Sequence, residues 1–197
     1  MLIVCGAQFH AGGAARSIEL NFPAKPLFAR TRKITSLDSF DIKLLTALQQ
    51  DCSQTHQQLA EQVHLSASQC SRRVQRLMES GLIAKTVALL KPEAVGLTVS
   101  AYVMVSLRTH GHNDVDRLNH DLARYEEIVE LASLTGEADY VIKLRCRDMK
   151  HLSEFLNDRL MAHAEVATVK TSVVLQPLKE TTEISLAFAQ NAHAKGN

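Results

Sequence analysis

The stretch THQQLAEQVHLSASQCSRRVQRLMESG, residues 55–81, carries two helix-start signals close together. Residues 55–58 and residues 66–69 both have the capping-box pattern, in which a hydroxyl residue and a glutamine three positions later bond each other's backbone N–H groups. Gly81 is typical of the left-handed residue that follows a helix C-terminus. The stretch therefore predicts a short helix, a tight turn and a longer helix that ends near Ser80.

One further helix is predicted upstream, beginning beside Asp38, which is a suitable N-cap. Its apolar residues recur at helical spacing: Leu37, Phe40, Leu44, Leu45 and Leu48. Downstream, residues 82–90 are rich in β-prone side chains. Three helices with a tight turn before the third, followed by a β-prone stretch, predict a winged or ribbon-extended helix-turn-helix domain over residues 36–90.

The second half of the chain predicts a different domain. Residues 91–97 are interpreted as a hinge, because Pro92 cannot continue a hydrogen-bond ladder and restricts the residue before it. Within residues 98–180, strands are predicted over 98–107, 128–135, 140–146 and 166–175, with one helix capped by Asn113 or Asp114 and another capped by Asp148. The βαββαβ order predicts a ferredoxin-like α+β domain, an antiparallel sheet with two helices on one face.

The composition limits the kind of protein. Of 197 residues, 46% are hydrophobic and 22% are charged, and no run approaches the roughly 18 apolar residues of a membrane span. The four cysteines are scattered without a C-x-x-C pair, which favours reduced thiols and a cytoplasmic protein. Residues 1–35 lack a sustained period and are interpreted as an unstructured arm or a mis-annotated extension, and residues 181–197 as a tail.

The predicted third helix has two faces when about 100° of rotation is allowed per residue. One side is apolar and is expected to pack against the domain: Cys70, Val74, Leu77 and Met78. The other side carries polar residues that suit DNA: Ser68, Gln69, Arg72, Gln75 and Arg76, with Ser66 at the helix start. Arginine can bind guanine and glutamine can bind adenine, whereas Arg73 on the flank is better placed for a phosphate.

Charge supports this interpretation through its distribution. The formal net charge is only +1, yet residues 66–78 contain three arginines and no acidic residue. An exposed basic helix face is often merely solvated, but here the face stands on a capped helix that follows a tight turn. The pattern favours a recognition helix for the major groove of double-stranded DNA.

These features together resemble the leucine-responsive regulatory protein and AsnC (Lrp/AsnC) family, also called feast/famine regulators. The resemblance covers residues 36–180 and consists of these motifs: Leu37-Asp38-x-x-Asp41, Leu59-Ala60, Leu65-Ser66, Arg73-Val74-x-Arg76-Leu77, Gly81-Leu82-Ile83 and Gly136-Glu137-Ala138-Asp139-Tyr140. Two positions depart from the family pattern. His64 stands where the family usually has glycine, so it must adopt whatever backbone conformation the turn requires. Asp51-Cys52-Ser53 replaces the usual Asp-Gly-Arg and lacks its arginine.

The resemblance implies a DNA-binding transcription regulator. Its rear domain is expected to form a homodimer through the sheet, often an octamer or another higher homo-oligomer, and to bind an amino acid or related metabolite between subunits. The implied effector site comprises Ser133, Leu134, Thr135, Gly136, Glu137, Asp139, Ser172 and Val173. A glycine turn exposes N–H groups for a carboxylate, and Asp139 or Glu137 could pair with an ammonium. Asp139 is equally well explained as a turn-capping carboxylate, and Tyr140 as a core residue.

Two other kinds of protein share parts of this pattern. A ferredoxin-like domain can be an enzyme, but the sequence has no phosphate loop or nucleophile elbow and predicts no cofactor. His110 and His112 form the nearest metal-like pair, without neighbouring cysteine or carboxylate partners. A metabolite-binding oligomer whose helical head contacts proteins is the other alternative. DNA binding through several phosphates falls steeply with salt, which separates a DNA reader from that alternative.

Overall fold

Residues 37–108 and 111–187 are described by the computed structural model of the chain. The chain divides into two compact units: unit 1 contains residues up to 87 together with those from 181 onward, and unit 2 contains residues 88–180. The chain thus passes from unit 1 into unit 2 and back again. The arm predicted over residues 1–35 lies outside the described residues.

The described part of unit 1 has three helices, α1 (Ser39–Gln50), α2 (His56–Val63) and α3 (Ala67–Glu79). All three predicted helix starts are confirmed, since Asp38, Thr55 and Ser66 are N-caps within reciprocal capping boxes. At the start of α3, Ser66 Oγ accepts from Gln69 N–H at 3.2 Å, and Gln69 Oε1 accepts from Ser66 N–H at 3.1 Å. These bonds satisfy donors that a helix N-terminus otherwise leaves unpaired, which fixes where each helix begins.

The turn between α2 and α3 depends on a left-handed residue. His64 has φ 57° and ψ 49°, and it is the one non-glycine residue with positive φ in the described part of the chain. The carbonyl of Ala60 accepts from His64 N–H and, at 3.1 Å, from Leu65 N–H. His64 therefore adopts the left-handed conformation that the turn requires, at a steric cost that glycine would not have.

Seven buried residues form the core of unit 1: Leu44, Ala47, Leu59, Ala60, Val63, Cys70 and Val74. Cys70 is fully buried as predicted, and burial raises the pKa of its thiol. The sequence pattern also places Met78 in this core, but its side chain is 44% exposed, so that prediction is wrong. Met78 lies about 80° around the helix from Cys70, at the rim of the buried face, whereas Leu77 lies within about 20°.

Residues 82–90, where the sequence predicts the wing, form no strand in the single chain. Gly81, with φ 77°, follows the end of α3 as predicted, but no strand among the described residues pairs with the segment beyond it. Its apolar side chains are exposed: Val87 52%, Leu89 70% and Leu90 72%. A β-prone segment needs a neighbouring strand to pair its N–H and C=O groups, and β-propensity alone does not supply one.

Unit 2 contains an antiparallel sheet of β1 (Val99–Leu107), β2 (Ile128–Ser133), β3 (Tyr140–Cys146) and β4 (Val166–Val173). The strand order is β2-β3-β1-β4. Two helices complete the βαββαβ order, α4 (His112–Leu122) and α5 (Met149–Glu154), and a π-helical segment, Phe155–Leu160, continues α5. A single 3₁₀ turn, Pro92–Val95, occupies the predicted hinge. The ferredoxin-like prediction is confirmed.

The two faces of the sheet differ. In β1, Ala101, Val103 and Val105 are fully buried, whereas Tyr102 and Met104 face the other way and are each 42% exposed. The buried face packs against apolar residues of the helical segments: Leu118, Leu122, Leu152, Phe155 and Leu160. One face of the sheet is therefore a core, and the other exposes Tyr102 and Met104 on the single chain.

The cap predictions for unit 2 are half right. The N-cap of α4 is Gly111, without a side-chain cap, and Asp114 lies inside the first turn, so neither Asn113 nor Asp114 is the cap. An acidic residue in the first turn still favours the helix through its dipole, which makes the two positions hard to distinguish by sequence. Asp148 is confirmed as the cap of α5, since its Oδ1 accepts from His151 N–H at 2.7 Å.

The chain returns to unit 1 beyond residue 180. Gln49 of α1 donates through Nε2 to Ile184 O at 3.1 Å and accepts through Oε1 from Ile184 N–H at 2.7 Å. The side-chain amide thus pairs both backbone groups of one residue, as a neighbouring strand would. Within residues 181–187, predicted to be part of a tail, Ile184 is thus bonded to α1.

The left-handed turn leads to a stability prediction. His64→Gly should raise the free energy of unfolding by about 1 kcal/mol, because glycine adopts positive φ without the Cβ contact. Urea unfolding followed by the circular dichroism of the helices measures this change. His64→Ala, which keeps the Cβ, is the matched control and should leave stability nearly unchanged. A less stable glycine variant would contradict the prediction.

Candidate nucleic-acid interface and effector region

The outward face of α3 presents the polar side chains expected there. Ser68, Gln69, Arg72, Gln75 and Arg76 are all exposed. Ser68, Arg72 and Gln75 form one ridge, since they are four and three residues apart. Arg72 lies about 160° around the helix from the buried Cys70. Among the arginines of α3, Arg72 is the one for which the described residues contain no ion-pair partner.

Arg73 is directed into unit 1. Its NH1 lies 2.7 Å from Asp38 Oδ2 and 2.8 Å from Asp41 Oδ1, and its side chain is only 23% exposed. Its guanidinium carbon lies 5.5 Å from the centre of the Phe40 ring. Hydrogen bonds to Asp38 and Asp41 raise the pKa of Arg73. The sequence pattern predicts a phosphate contact for Arg73. In the structure its guanidinium links α1 and α3, where the carboxylates of Asp38 and Asp41 need a cation.

Arg76 is both paired and exposed. Its NH2 lies 2.6 Å from Asp41 Oδ2, yet its side chain is 58% exposed. The carboxylate that it shares with Arg73 is 1% exposed. Asp41 Oδ2 also accepts from the backbone N–H of Asp38 at 3.3 Å, as part of the capping box of α1. Asp41 therefore joins the start of α1 to two side chains of α3.

The remaining predicted DNA contacts have partners within the helix. Ser66 and Gln69 bond each other in the capping box, and Ser66 Oγ also lies 3.1 Å from Ser68 Oγ. Gln75 Nε2 donates to Glu79 Oε1 at 2.8 Å. These side chains are exposed, but a contact with DNA would compete with bonds that they already make. Arg72 has no such competitor among the described residues.

Asp41 is the residue of this interface that sequence reasoning missed. It stands three and four residues before Leu44 and Leu45, which places it on the apolar face of α1. An acid on an apolar face must be paired, and this signal could have identified it. Its partners could not be named, because they lie 32 and 35 residues away in the sequence.

A polar cavity of about 540 Å³ lies beside α2 and the loop before it. It is lined by Asp51, Gln54, Gln58, Glu61 and Gln62. The two carboxylates in this lining would repel a phosphate backbone. The exposed positive charge of α3 is the more favourable surface for DNA.

In the predicted effector region, Asp139 closes the turn between β2 and β3. Its N–H donates to Val105 O at 2.9 Å, its carbonyl accepts from Leu134 N–H at 2.8 Å, and its carboxylate accepts from Leu107 N–H at 2.7 Å. The interpretation of Asp139 as a turn-capping carboxylate therefore has direct support. Gly136 has φ 126°, which side chains rarely allow, so the turn needs glycine there.

The turn carries the first group of predicted effector residues, and these are exposed: Ser133, Leu134, Thr135, Gly136 and Glu137. The next residue of the chain beyond Asp139 is Tyr140, which is 5% exposed. Tyr140 therefore belongs to the core, as the alternative interpretation predicted.

The structure does not bring all predicted effector residues together. Tyr140, which follows the turn, pairs with Val105 of β1. Val105 in turn pairs with Val169 of β4. Ser172 and Val173 are three and four residues further along β4, or about 10 to 13 Å along the strand direction. Within one chain, the turn and the end of β4 are thus at opposite ends of the sheet.

The described residues contain no group of three or more histidine, cysteine, aspartate or glutamate side chains placed to hold a metal ion. His110 of the metal-like pair lies outside the described part of the chain. In the described part, no helix has both the length and the apolar character needed to cross a membrane.

Two domain profiles match the chain. The profile described as winged helix-turn-helix DNA-binding matches residues 37–84, and the Lrp/AsnC ligand binding domain matches residues 100–184. Together with the exposed polar face of α3, they define a DNA-binding transcription regulator with a ligand-responsive domain, and not an enzyme.

Individual relatives agree in both sequence and fold. The DNA-binding transcriptional activator DecR of Escherichia coli is 33% identical over 150 residues, covering 76% of this chain and 99% of that protein. A transcriptional regulator of Neisseria meningitidis, solved as a complex with L-Met, is 35% identical with a TM-score of 0.75, covering 78% of this chain and 99% of that one. An AsnC family regulator of Agrobacterium tumefaciens is 30% identical with a TM-score of 0.74, covering 77% and 99%. The chain belongs to the Lrp/AsnC family.

The pairing of Asp38 predicts a pH dependence of stability. Burial raises the pKa of Asp38, but hydrogen bonds from Asp41 N–H and Arg73 outweigh burial and hold the pKa below its ordinary value of 3.8. The stabilisation is therefore fully present above about pH 4 and is lost as pH falls through the lower pKa of the folded state.

Asp38→Asn provides the comparison, because asparagine keeps an N-cap side chain without the charge. Urea unfolding at a series of pH values should show a stability advantage of the native chain near neutral pH that shrinks below about pH 4. An advantage that grows toward low pH would be the wrong sign for this ion pair.

Proposed function

We propose that the protein reads double-stranded DNA with the ridge Ser68, Arg72 and Gln75 of α3 in the major groove. The observation that carries the proposal is Arg72, which is exposed, opposite the core and without an ion-pair partner among the described residues. An arginine so placed can donate two hydrogen bonds to guanine O6 and N7. Arg76, on the edge of the same face, is suited to a phosphate.

We propose that two copies act together as a homodimer, because one recognition helix makes too few contacts for a specific regulator. The outer face of the sheet supports this, because Tyr102 and Met104 are each 42% exposed there. Residues 82–90 add further exposed apolar surface. A higher homo-oligomer such as an octamer is proposed on the family resemblance, and a cytoplasmic location on the DNA partner.

For the rear domain we propose an amino acid or a related metabolite as effector, and no cofactor. The Neisseria regulator was solved with L-Met, which supports this class of ligand. Gly136 and its neighbours could offer N–H groups to a carboxylate, and the exposed Glu137 could bind an ammonium. Because Ser172 and Val173 lie at the other end of the sheet, we propose that a complete site takes the turn from one copy and the end of β4 from another.

The DNA-reading proposal predicts the effect of removing Arg72. Arg72→Ala should weaken binding to a duplex selected from a random library by about 1 to 3 kcal/mol and relax the preference at one base pair. Fluorescence anisotropy titrations at several salt concentrations measure this. Arg124→Ala is the control, since it removes an exposed arginine from unit 2.

If both variants bound DNA like the unmodified protein, the ridge would not be the DNA contact. If the unmodified protein bound DNA without salt dependence, a head that contacts proteins would become the better explanation.

The effector proposal predicts a thermal shift. Among the twenty amino acids, L-methionine included, at least one should raise the melting temperature, because a ligand at 100 times its Kd adds about 2.7 kcal/mol to the folded state. Glu137→Gln should reduce this shift without changing the melting temperature of the free protein. Asp139→Asn should lower the melting temperature of the free protein, because it weakens the bond to Leu107 N–H. No shift with any amino acid would reject this class of effector.

A further inference from the structure

Arg76 contacts a buried carboxylate and is also exposed to solvent. Its NH2 is 2.6 Å from the buried carboxylate of Asp41, and its side chain is nevertheless 58% exposed. It lies about 40° around α3 from Arg72, on the same outward face. A single side chain therefore connects a carboxylate inside unit 1 with the proposed DNA surface.

The carboxylate at the inner end of this connection is held in place. Asp41 Oδ1 accepts from Arg73 NH1 at 2.8 Å, and Oδ2 accepts from Asp38 N–H at 3.3 Å. Arg73 is itself bonded to Asp38 at 2.7 Å. Asp41 is thus held by α1 and by Arg73 independently of Arg76. Its carboxylate is therefore a rigid anchor, a fixed hydrogen-bond acceptor for Arg76.

Such an anchor matters because arginine is flexible. Immobilising a free arginine side chain costs rotamer entropy. An arginine already held at one edge has lost part of this freedom before a ligand arrives, so less is lost on binding. The guanidinium has five N–H donors in a plane, so an edge that does not face Asp41 remains for a phosphate.

We propose that Asp41 is a positioning residue for DNA binding, which holds Arg76 in the orientation that meets a phosphate beside the base pairs read by Arg72. Asp41 itself touches no DNA and acts through Arg76. This inference rests on the proposed DNA-reading function. Arg73 has a separate task, since it braces Asp41 and Asp38 inside the domain.

The test is a double-mutant cycle of Asp41→Asn and Arg76→Ala. Asparagine has nearly the same shape as aspartate but lacks the charge that holds Arg76. Each variant is titrated with the selected duplex and with an unrelated duplex, and Kd is calculated per folded molecule from a stoichiometric titration. Hydrogen exchange of α1 and α3 confirms that the helices remain formed.

The direction of the change in Kd distinguishes a loss of Arg76 positioning from a simple change in net charge. Asp41→Asn makes the protein more positive, so Coulomb attraction alone predicts tighter binding to DNA. Loss of positioning predicts the opposite, a Kd weaker by about three- to tenfold for both duplexes, because a phosphate contact is independent of sequence. In the Arg76→Ala background, Asp41→Asn should have little further effect on Kd.

Asp38→Asn is the matched control. Like Asp41→Asn, it removes one negative charge and weakens a bond to Arg73. It keeps an N-cap side chain and leaves the contact between Asp41 and Arg76 in place. Its Kd should be unchanged or slightly tighter. A merely structural role of the carboxylates would instead make both aspartate variants behave alike once Kd is corrected for the folded fraction.

The inference is overturned if Asp41→Asn binds as tightly as the unmodified protein or tighter, or if its effect adds in full to that of Arg76→Ala. If Arg72→Ala still weakened DNA binding as predicted above, the DNA-reading proposal would hold although the positioning role of Asp41 had failed. If Arg72→Ala and Arg76→Ala both bound like the unmodified protein, the DNA-reading function itself would fail.

A second variant covers the case in which Asp41→Asn does not fold. Arg76→Lys keeps the charge but replaces the planar group with a compact ammonium, which cannot bind the carboxylate and a phosphate through separate edges. Its Kd should approach that of Arg76→Ala. A lysine variant that bound DNA like the unmodified protein would show that the charge alone suffices and would overturn the inference.

Discussion

The carboxylate of Asp41 must be paired, and the arrangement of the recognition helix depends on this pairing. Asp41 is 1% exposed, and an unpaired charge in such a place costs several kcal/mol. Its cations come from α3, so α1 and α3 pack with Arg73 and Arg76 turned toward it. Arg72 lies on the far side of the helix and remains exposed. One buried group thus connects two helices and leaves three nearby arginines in different environments.

A second constraint lies in the rear domain, where Asp139 and Gly136 shape the turn between β2 and β3. The backbone and carboxylate of Asp139 tie this turn to β1. Antiparallel pairing then fixes the register of the sheet and leaves the end of β4, with Ser172 and Val173, at the far end. The separation follows from the strand order, and it is the reason that a site made from both parts requires a second copy.

Much of the fold could be predicted from the sequence because its signals are local. The capping boxes at Thr55 and Ser66 act over three residues, and the alternation in β1 reflects a period of two. Errors arose where the outcome depended on a neighbour. Met78 lies at the rim of a face whose width is set by the packing of other helices. Residues 82–90 have β-propensity, but the described part of the chain contains no strand that pairs with them.

The candidate site, like the fold, could be predicted from the sequence only where the signals are local. Periodicity alone identified the outward face of α3, because the rotation per residue of a helix is constant. It could not show that Arg73 and Arg76 are engaged by Asp41, that Gln49 bonds to Ile184, or that the two parts of the effector region are separated. These features join residues that are far apart in the chain, and only the packing of helices and the pairing of strands brings such residues together or keeps them apart.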